Sequence, residues 1–419
     1  MKKTTLVLFC LFFVSIPSLE VYGARVYGRK LPDPQDTAGS SWVLYNPGEG
    51  IKVKGIDARI QPSTTLFLQG TPNTNTGDGR GRFGGSWVGY LHVTKALGEW
   101  AFTAAQFEFG LGNTIQKRLS LFNDTNYNAY NVGGNIRLRA YYYEQYLLDK
   151  QITLFCGKAN PRDMVDQVKY AGNDDTQFIA YIFNRSPVLE WPSSYTFTMH
   201  AKVSPKVIDF MEFEFNYFEG DANWQKIFTH GVYTAQINVK PAELLDLDPA
   251  DWEGNYRFFG WANNRKHAKL VEEGEASSAK ANESNYGFGL GFDQMLGDVF
   301  GVFGRFGWQR PDLIPADGGA TIDLSWSSGA QMTGRYWDRK NDILAIAVGQ
   351  LFPSRRYKEA GHNAAPEGHI ETYYSFQLNK CLRISPDFQL IWNPDGVSKK
   401  SAGDSDPIFT YGVRMHMVF

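Results

Sequence analysis

Long apolar runs are what this chain lacks. The run it does have, Leu6 to Ile16, falls short of the ~20 residues that a helix needs to cross a bilayer, so no helical span is expected. Charge of one sign is lacking too: lysine plus arginine number 42 and aspartate plus glutamate 44. That balance offers no net field for nucleic acid or for a strongly charged substrate. Cysteine is scarce, and one of the 3, Cys10, lies inside the apolar run. Cys156 and Cys381 make no disulfide framework, and no Cys/His spacing suits a metal ion. A bridge between the two is open but unsupported, and both read as incidental strand residues. Catalytic motifs are missing as well, with no GxSxG elbow, no phosphate-cradling glycine loop and no HExxH. No enzymatic activity, cofactor or metal is expected.

The chain opens on Lys2 and Lys3, then the apolar run, then Val21-Tyr22-Gly23 before Ala24. This predicts a cleavable secretory signal over residues 1–23. More apolar residues follow Cys10, which argues against a lipoprotein anchor there. Residues 24–54 carry Pro32, Pro34 and Pro47 and little periodicity, and predict a periplasmic or lumenal extension.

What is present is alternation. Backwards from the end, Phe419, Met417, Met415, Val413, Tyr411 and Phe409 are all apolar or aromatic, while His416, Arg414 and Thr410 lie between them. Period two means a strand with one oily and one wet face. Ending on Phe419, it resembles the closing strand of a bacterial outer-membrane barrel, where the terminal aromatic belongs to the assembly signal. An arginine facing lipid at mid-membrane costs roughly 2–4 kcal/mol, so Arg414 is expected to face a lumen.

Similar segments recur over 55–69, 84–95, 99–109, 133–147, 151–158, 194–203, 208–218, 230–239, 254–262, 284–294, 299–308, 320–334, 341–351, 367–378, 383–392 and 406–419. Connections after odd-numbered segments are long, and those after even-numbered ones are short except 240–253. An even strand count with long loops at one end and tight turns at the other predicts an all-β transmembrane antiparallel barrel of about 16 strands over 55–419. Its long loops are extracellular and its short turns periplasmic. Closure removes the strand edges that lipid would not tolerate, and sixteen strands leave an aqueous channel.

Several stretches resemble the carbohydrate-selective porin family (OprB-type) of Gram-negative outer membranes. They are Gly157-Lys158 followed by NDDTQFIAYIFNRSP (173–187), GLGFDQ (289–294) with GVFGRFGW (301–308), ETYYSFQL (371–378) with ISPDFQLIWNPDG (384–396), and the closing strand. The likeness covers most of the mature chain, although ANPRDMVDQVKYAG (159–172) departs from the family's usual run. It implies a channel for glucose-like sugars, narrowed by an inward-folded loop. The connection 159–193, the longest, is the candidate constriction, with an external cap or a trimer contact as the alternative, and its Phe178, Tyr181, Phe183 and Trp191 argue against disorder.

Alternation nominates a pore-lining set of Arg59, Arg137, Arg139, Tyr141, Tyr143, Glu108, Glu212, Glu214, Arg257, Asp293, Arg305, Glu371, Asp387 and Arg414, with Asp57, Arg383 and Tyr373 beside them. Guanidinium forks and carboxylates bind neighbouring hydroxyls in pairs, and a lining of both signs suits a neutral polyol. Barrel walls also carry such pairs simply to satisfy each other. The expectation is facilitated diffusion of small carbohydrates, with a general or weakly ion-selective porin as the alternative and a barrel enzyme a more distant one. Expected partners are small sugars, outer-membrane lipid and the barrel-assembly machinery; monomer and homotrimer are both open.

Overall fold

The computed structural model describes residues 43–46, 48–53, 55–76, 79–126, 134–192, 195–271, 283–315, 319–397 and 406–419, with the two-residue strands Arg25–Val26 and Arg29–Lys30. The expected signal, 1–23, and most of 24–54 lie outside the described residues.

The wall is a closed antiparallel barrel of sixteen strands. They are β1 (Ala58–Asn73), β2 (Arg80–Leu97), β3 (Ala101–Asn113), β4 (Arg137–Leu147), β5 (Ile152–Ala159), β6 (Thr196–Val203), β7 (Met211–Glu219) and β8 (Gly231–Val239). The second half holds β9 (Gly254–His267), β10 (Glu283–Leu296), β11 (Phe300–Gln309), β12 (Ile322–Gly334), β13 (Arg339–Pro353), β14 (Glu367–Gln377), β15 (Leu382–Trp392) and β16 (Ile408–Val418). Each strand pairs with the next, and β16 pairs with β1 to close the ring. At that seam Arg414 lies opposite Phe67 and His416 opposite Thr65. The seam therefore runs along Ser63–Gly70 of β1, away from Asp57 and Arg59. Asp57 itself occupies the turn before β1, with φ 48°. A short hairpin, Val43–Asn46 with Gly50–Val53, adds to the β1 end by pairing Ile51 with Ile60. The first connection is shorter than expected, because the β1–β2 ladder runs on to Asn73 opposite Arg80.

Alternation explains the wall. In β8, Val232, Thr234, Gln236 and Asn238 are buried while Tyr233, Ala235 and Ile237 are exposed. Outward residues such as Phe215, Phe258, Leu290, Ile346, Phe388 and Phe409 form an apolar belt, and inward residues are mostly polar. Belt residues exposed to water would be a liability; against acyl chains they are at home.

One irregularity changes a face. In the β3–β4 ladder Gln106 pairs with Ala140 and Phe107 with Leu138, leaving Arg139 as an extra residue. Such a bulge inverts the alternation beyond it. Arg137 and Arg139 face inward on one side of it, and Ala140 and Tyr142 do so on the other, where Tyr142 packs with Phe102 and Phe155. Tyr141 and Tyr143 consequently point outward, which corrects their place in the expected lining. Tyr141 is exposed and stacks on Trp224, centroids 5.7 Å apart.

The core of the molecule lies inside the barrel, between its inner wall and two connections that fold against it. The larger cluster joins Val168, Tyr170, Phe178, Ile182, Phe183 and Val188 of segment 160–192 to Phe303, Ala345, Ala347, Leu351 and Tyr373 of β11, β13 and β14. A second joins Val165 and Leu189 to Phe218, Val232, Phe259 and Trp261 of β7 to β9. Ile179 reaches Phe67, Val88 and Tyr90 of β1 and β2. Each fully buried ring or branched chain contributes about 1.5–3 kcal/mol, so apolar burial dominates the docking of this segment.

Candidate functional site: the lumen and its inward segments

Segment 160–192 has two short turns of helix. Asn160 caps the first by accepting from the Arg162 N–H at 3.3 Å, and Tyr181–Asn184 forms the second. Elsewhere its backbone is irregular and buried, and its polar groups need partners. The wall supplies them. From β11, the Arg305 Nη2 donates to the carbonyls of Asp166 (3.2 Å), Ala171 (2.5 Å) and Asn184 (3.2 Å), and Nη1 to that of Phe183. Its Nε also pairs with Asp166 Oδ1 at 3.3 Å. On β14, Glu371 accepts the N–H groups of Ile179 (2.7 Å) and Ala180 (2.9 Å). On β16, Arg414 donates to the carbonyls of Asp174 (3.0 Å) and Gln177. Asp293 of β10 accepts the Lys169 N–H at 3.2 Å, and Thr65 of β1 donates to Asp175 at 2.6 Å. Close approach also explains two inward glycines. A Cβ on Gly301 would meet the Tyr170 ring at 2.5 Å, and one on Gly307 would meet Val188 Cγ2 at 2.4 Å.

A second connection, 114–126, folds inward as well, which its sequence did not signal. Gln389 donates to the Thr125 carbonyl (3.0 Å), and Asn126 donates to Gln69 (2.9 Å). Glu367 gathers the N–H groups of Phe122 (2.9 Å), Asn123 (3.1 Å) and Asp395 (2.8 Å). The two inward segments meet where the Tyr181 N–H donates to the Asp124 carbonyl at 2.9 Å.

These bonds divide the nominated residues. Arg305, Glu371, Asp293 and Arg414 face inward but give polar atoms to the backbone of 160–192. Asp387, buried beside Glu371, accepts from Gln389 at 3.1 Å. Arg59 and Arg383 share the parity of the inner face, and Tyr373 is buried under Phe178, centroids 5.0 Å apart. The other side of the wall is more open. There Arg137, half exposed, donates to Glu108 at 2.7 Å. Arg139 places its guanidinium 4.8 Å from the Tyr90 centroid and 4.6 Å from that of Tyr195, with Glu108 at 3.9 Å. Next along the wall, Glu212 takes Lys202 (2.8 Å) and Lys240 (2.9 Å), Glu214 accepts from Gln236 (3.2 Å), and Arg257 pairs with Asp293 (2.6 Å).

Sequence reasoning passed over Tyr90, Tyr195, Lys202 and Lys240. Tyr90 was readable from the alternation Ser86, Val88, Tyr90, His92, Thr94, but that face mixes apolar with polar residues. Within the inward segment, burial pushes the carboxyls of Asp163 and Asp174 up to about 6, and the neighbouring Asp175 charge adds to the effect on Asp174. Among the described residues no group of His, Cys, Asp and Glu is placed to hold a metal ion.

A closed sixteen-strand barrel with an apolar belt outside and a charged lumen narrowed by its own segments defines an outer-membrane porin. Residues 62–419 match the profile of the carbohydrate-selective porin, OprB family, and the chain belongs to that family. It is a carbohydrate channel of the Gram-negative outer membrane, not an enzyme. Among solved structures it is similar to Pseudomonas putida OprB at high pH, with TM-score 0.72 and 14% identity over 87% of this chain and 94% of that one. Salmonella typhi OmpF in complex with daunomycin is also similar, with TM-score 0.55 and 10% identity over 90% and 100% of the two chains. A loop-deleted Vibrio cholerae OmpT gives TM-score 0.52 and 10% identity over 87% and 100%. At these identities the likeness shows the fold. No curated protein matches the chain.

Proposed function

We propose that the channel passes neutral sugars of glucose size along the β2–β9 side of the lumen, beside segment 160–192, which sets its width. Arg137, Arg139 and Glu108 are the residues we assign to the sugar hydroxyls, with Tyr90 and Tyr195 holding Arg139 in place. The observation that carries this reading is the Arg139 guanidinium between two tyrosine rings. A pre-oriented fork binds paired hydroxyls with little ordering cost, and Glu108 keeps the local charge balanced. Such a site must stay weak to conduct, and a millimolar affinity is only about 4 kcal/mol. The test is ion current through single porins in planar bilayers. Glucose at high millimolar concentration should reduce it, and Arg139→Lys should weaken that block. Current indifferent to sugar would leave a general porin.

The strand β16, with Phe419 behind it, is assigned as the segment that the assembly machinery reads. One chain encloses a whole lumen, so conduction needs no residue from a second copy, whether the barrel stands as a monomer or in a homotrimer. Cross-linking in native outer membranes tests this, and an obligate trimer that loses conductance on dissociation would overturn it.

A further inference from the structure

One concave site lies outside the channel altogether. On the outer wall, β8 to β12 leave a groove of about 580 Å³ lined by Ile237, Tyr256, Phe258, Phe292, Phe306 and Trp326. Register fixes these side chains outward. Ile237 lies opposite Phe258, Phe258 opposite Leu290, Leu290 opposite Phe306, and Phe306 opposite Trp326. The floor is low at Ser328, a small residue paired with Gly304 within this belt, while the Phe292 ring lies against Gly304. The Ser328 hydroxyl donates to the Phe303 carbonyl at 3.0 Å, so the floor offers no unsatisfied polar group. Below the groove, β8 and β9 run into the one long periplasmic connection, 240–253. It exposes Leu244, Leu245, Leu247 and Trp252 among Glu243, Asp246 and Asp251.

We propose that this groove holds one acyl chain of an inner-leaflet phospholipid whose amine-bearing headgroup faces the acidic connection 240–253. The groove is continuous with the lipid-facing belt, so acyl chains already surround it. Its volume falls in the range that small molecules occupy, roughly 300–1,000 Å³. Concavity matters here, since a chain seated in the groove touches rings on several sides and gains dispersion contacts that a flat wall does not give. A second barrel presents a convex wall, which bridges a groove without filling it. Acidic residues at the lower end favour an ammonium over a headgroup that carries only phosphate and hydroxyls.

The probe is phosphatidylethanolamine carrying a photoactivatable diazirine in one acyl chain, mixed into phosphatidylethanolamine/phosphatidylglycerol vesicles that hold the full-length porin. Cross-links mapped by mass spectrometry should concentrate on the strands around Ser328 and Phe292, severalfold above those around Phe388 and Phe409 of the belt on β15 and β16. Ser328→Phe, which fills the floor, should abolish the excess. Gly304→Leu, which drives the Phe292 ring into the groove, serves if the first variant fails the folded-barrel gel shift. Labelling spread evenly around the barrel, an excess untouched by both variants, or cross-links between two barrels at this face would each overturn the proposal. Equal labelling by the phosphatidylglycerol analogue would overturn its headgroup half.

Discussion

Arg305→Met removes the residue that ties four carbonyls of segment 160–192 to the wall. Its partner Asp166 is as buried as Arg305 itself, with side-chain exposures of 1% and 2%. Deleting one member of such a pair costs about 3–5 kcal/mol, because the other charge stays buried and uncompensated. On the other side stand Tyr170, Phe178, Ile182 and Phe183, buried against β11 to β14. At about 1.5–3 kcal/mol each they contribute roughly 6–12 kcal/mol. The apolar term is the larger, so the segment should stay docked for most of the time. The docked-to-free ratio should still fall by about two to three and a half orders of magnitude. The expected record in a planar bilayer is therefore a noisy channel that flickers to higher conductance, with sugar block weakened and the heat-sensitive gel shift of a folded barrel retained. A quiet channel of wild-type conductance and wild-type sugar block would refute the reasoning, since it would mean that the segment neither depends on Arg305 nor narrows the pore.

Arg139→Lys loses the contacts of a flat guanidinium with two rings, roughly 0.5–2 kcal/mol each, and should raise the half-blocking glucose concentration about tenfold with unitary conductance unchanged. Tyr141→Ala and Tyr143→Ala should leave both conductance and sugar block as in the parent, because both rings face outward; an effect on block would place them in the lumen after all. Acidity should tighten the docking of 160–192. Asp163 and Asp174 have carboxyls raised to about 6 when docked, against an ordinary value near 3.8, so their contribution is fully present below the ordinary value and is lost as pH rises through about 6. Conductance noise in the Arg305→Met channel should accordingly fall between pH 7 and pH 5, and noise that grows on acidification would contradict this.

Much of the wall was legible because it follows from a rule that acts locally. A strand between lipid and water must alternate, and each expected strand has its counterpart within a few residues, down to Arg414 facing inward from β16. Legibility failed first at Arg139. A bulge depends on the partner strand, since it is the offset between Gln106–Ala140 and Phe107–Leu138 that makes Arg139 the extra residue. Read alone, RLRAYYYEQYL keeps one parity from Arg137 to Tyr143, and Tyr141 and Tyr143 fall on the wrong face. The sequence did hold a cue, in that Tyr142 and Glu144 share their parity with Ala140, but three consecutive tyrosines carry no preference between faces.

The lumen contents were harder for a different reason. Segment 114–126 is held by backbone groups that meet Glu367 and Gln389 and by the Asn126 side chain on Gln69, and no pattern within 114–126 announces partners so distant in the chain. The same physics sorts the charged lining. Arg305, Glu371 and Arg414 resemble Arg137 in being inward and polar on an alternating strand. They differ only in having a buried irregular backbone before them, which draws their hydrogen bonds away from water. Docking of the apolar segment against β11 to β14 therefore determines which charged residues can meet a solute. The more open charged groups of the opposite arc run from Arg137 and Arg139 through Lys202 to Arg257. Moving the apolar contacts of Phe178 and Phe183 would redraw that arc without changing a single charged residue. Selectivity in this porin thus depends on apolar packing as directly as on the charges that touch the sugar.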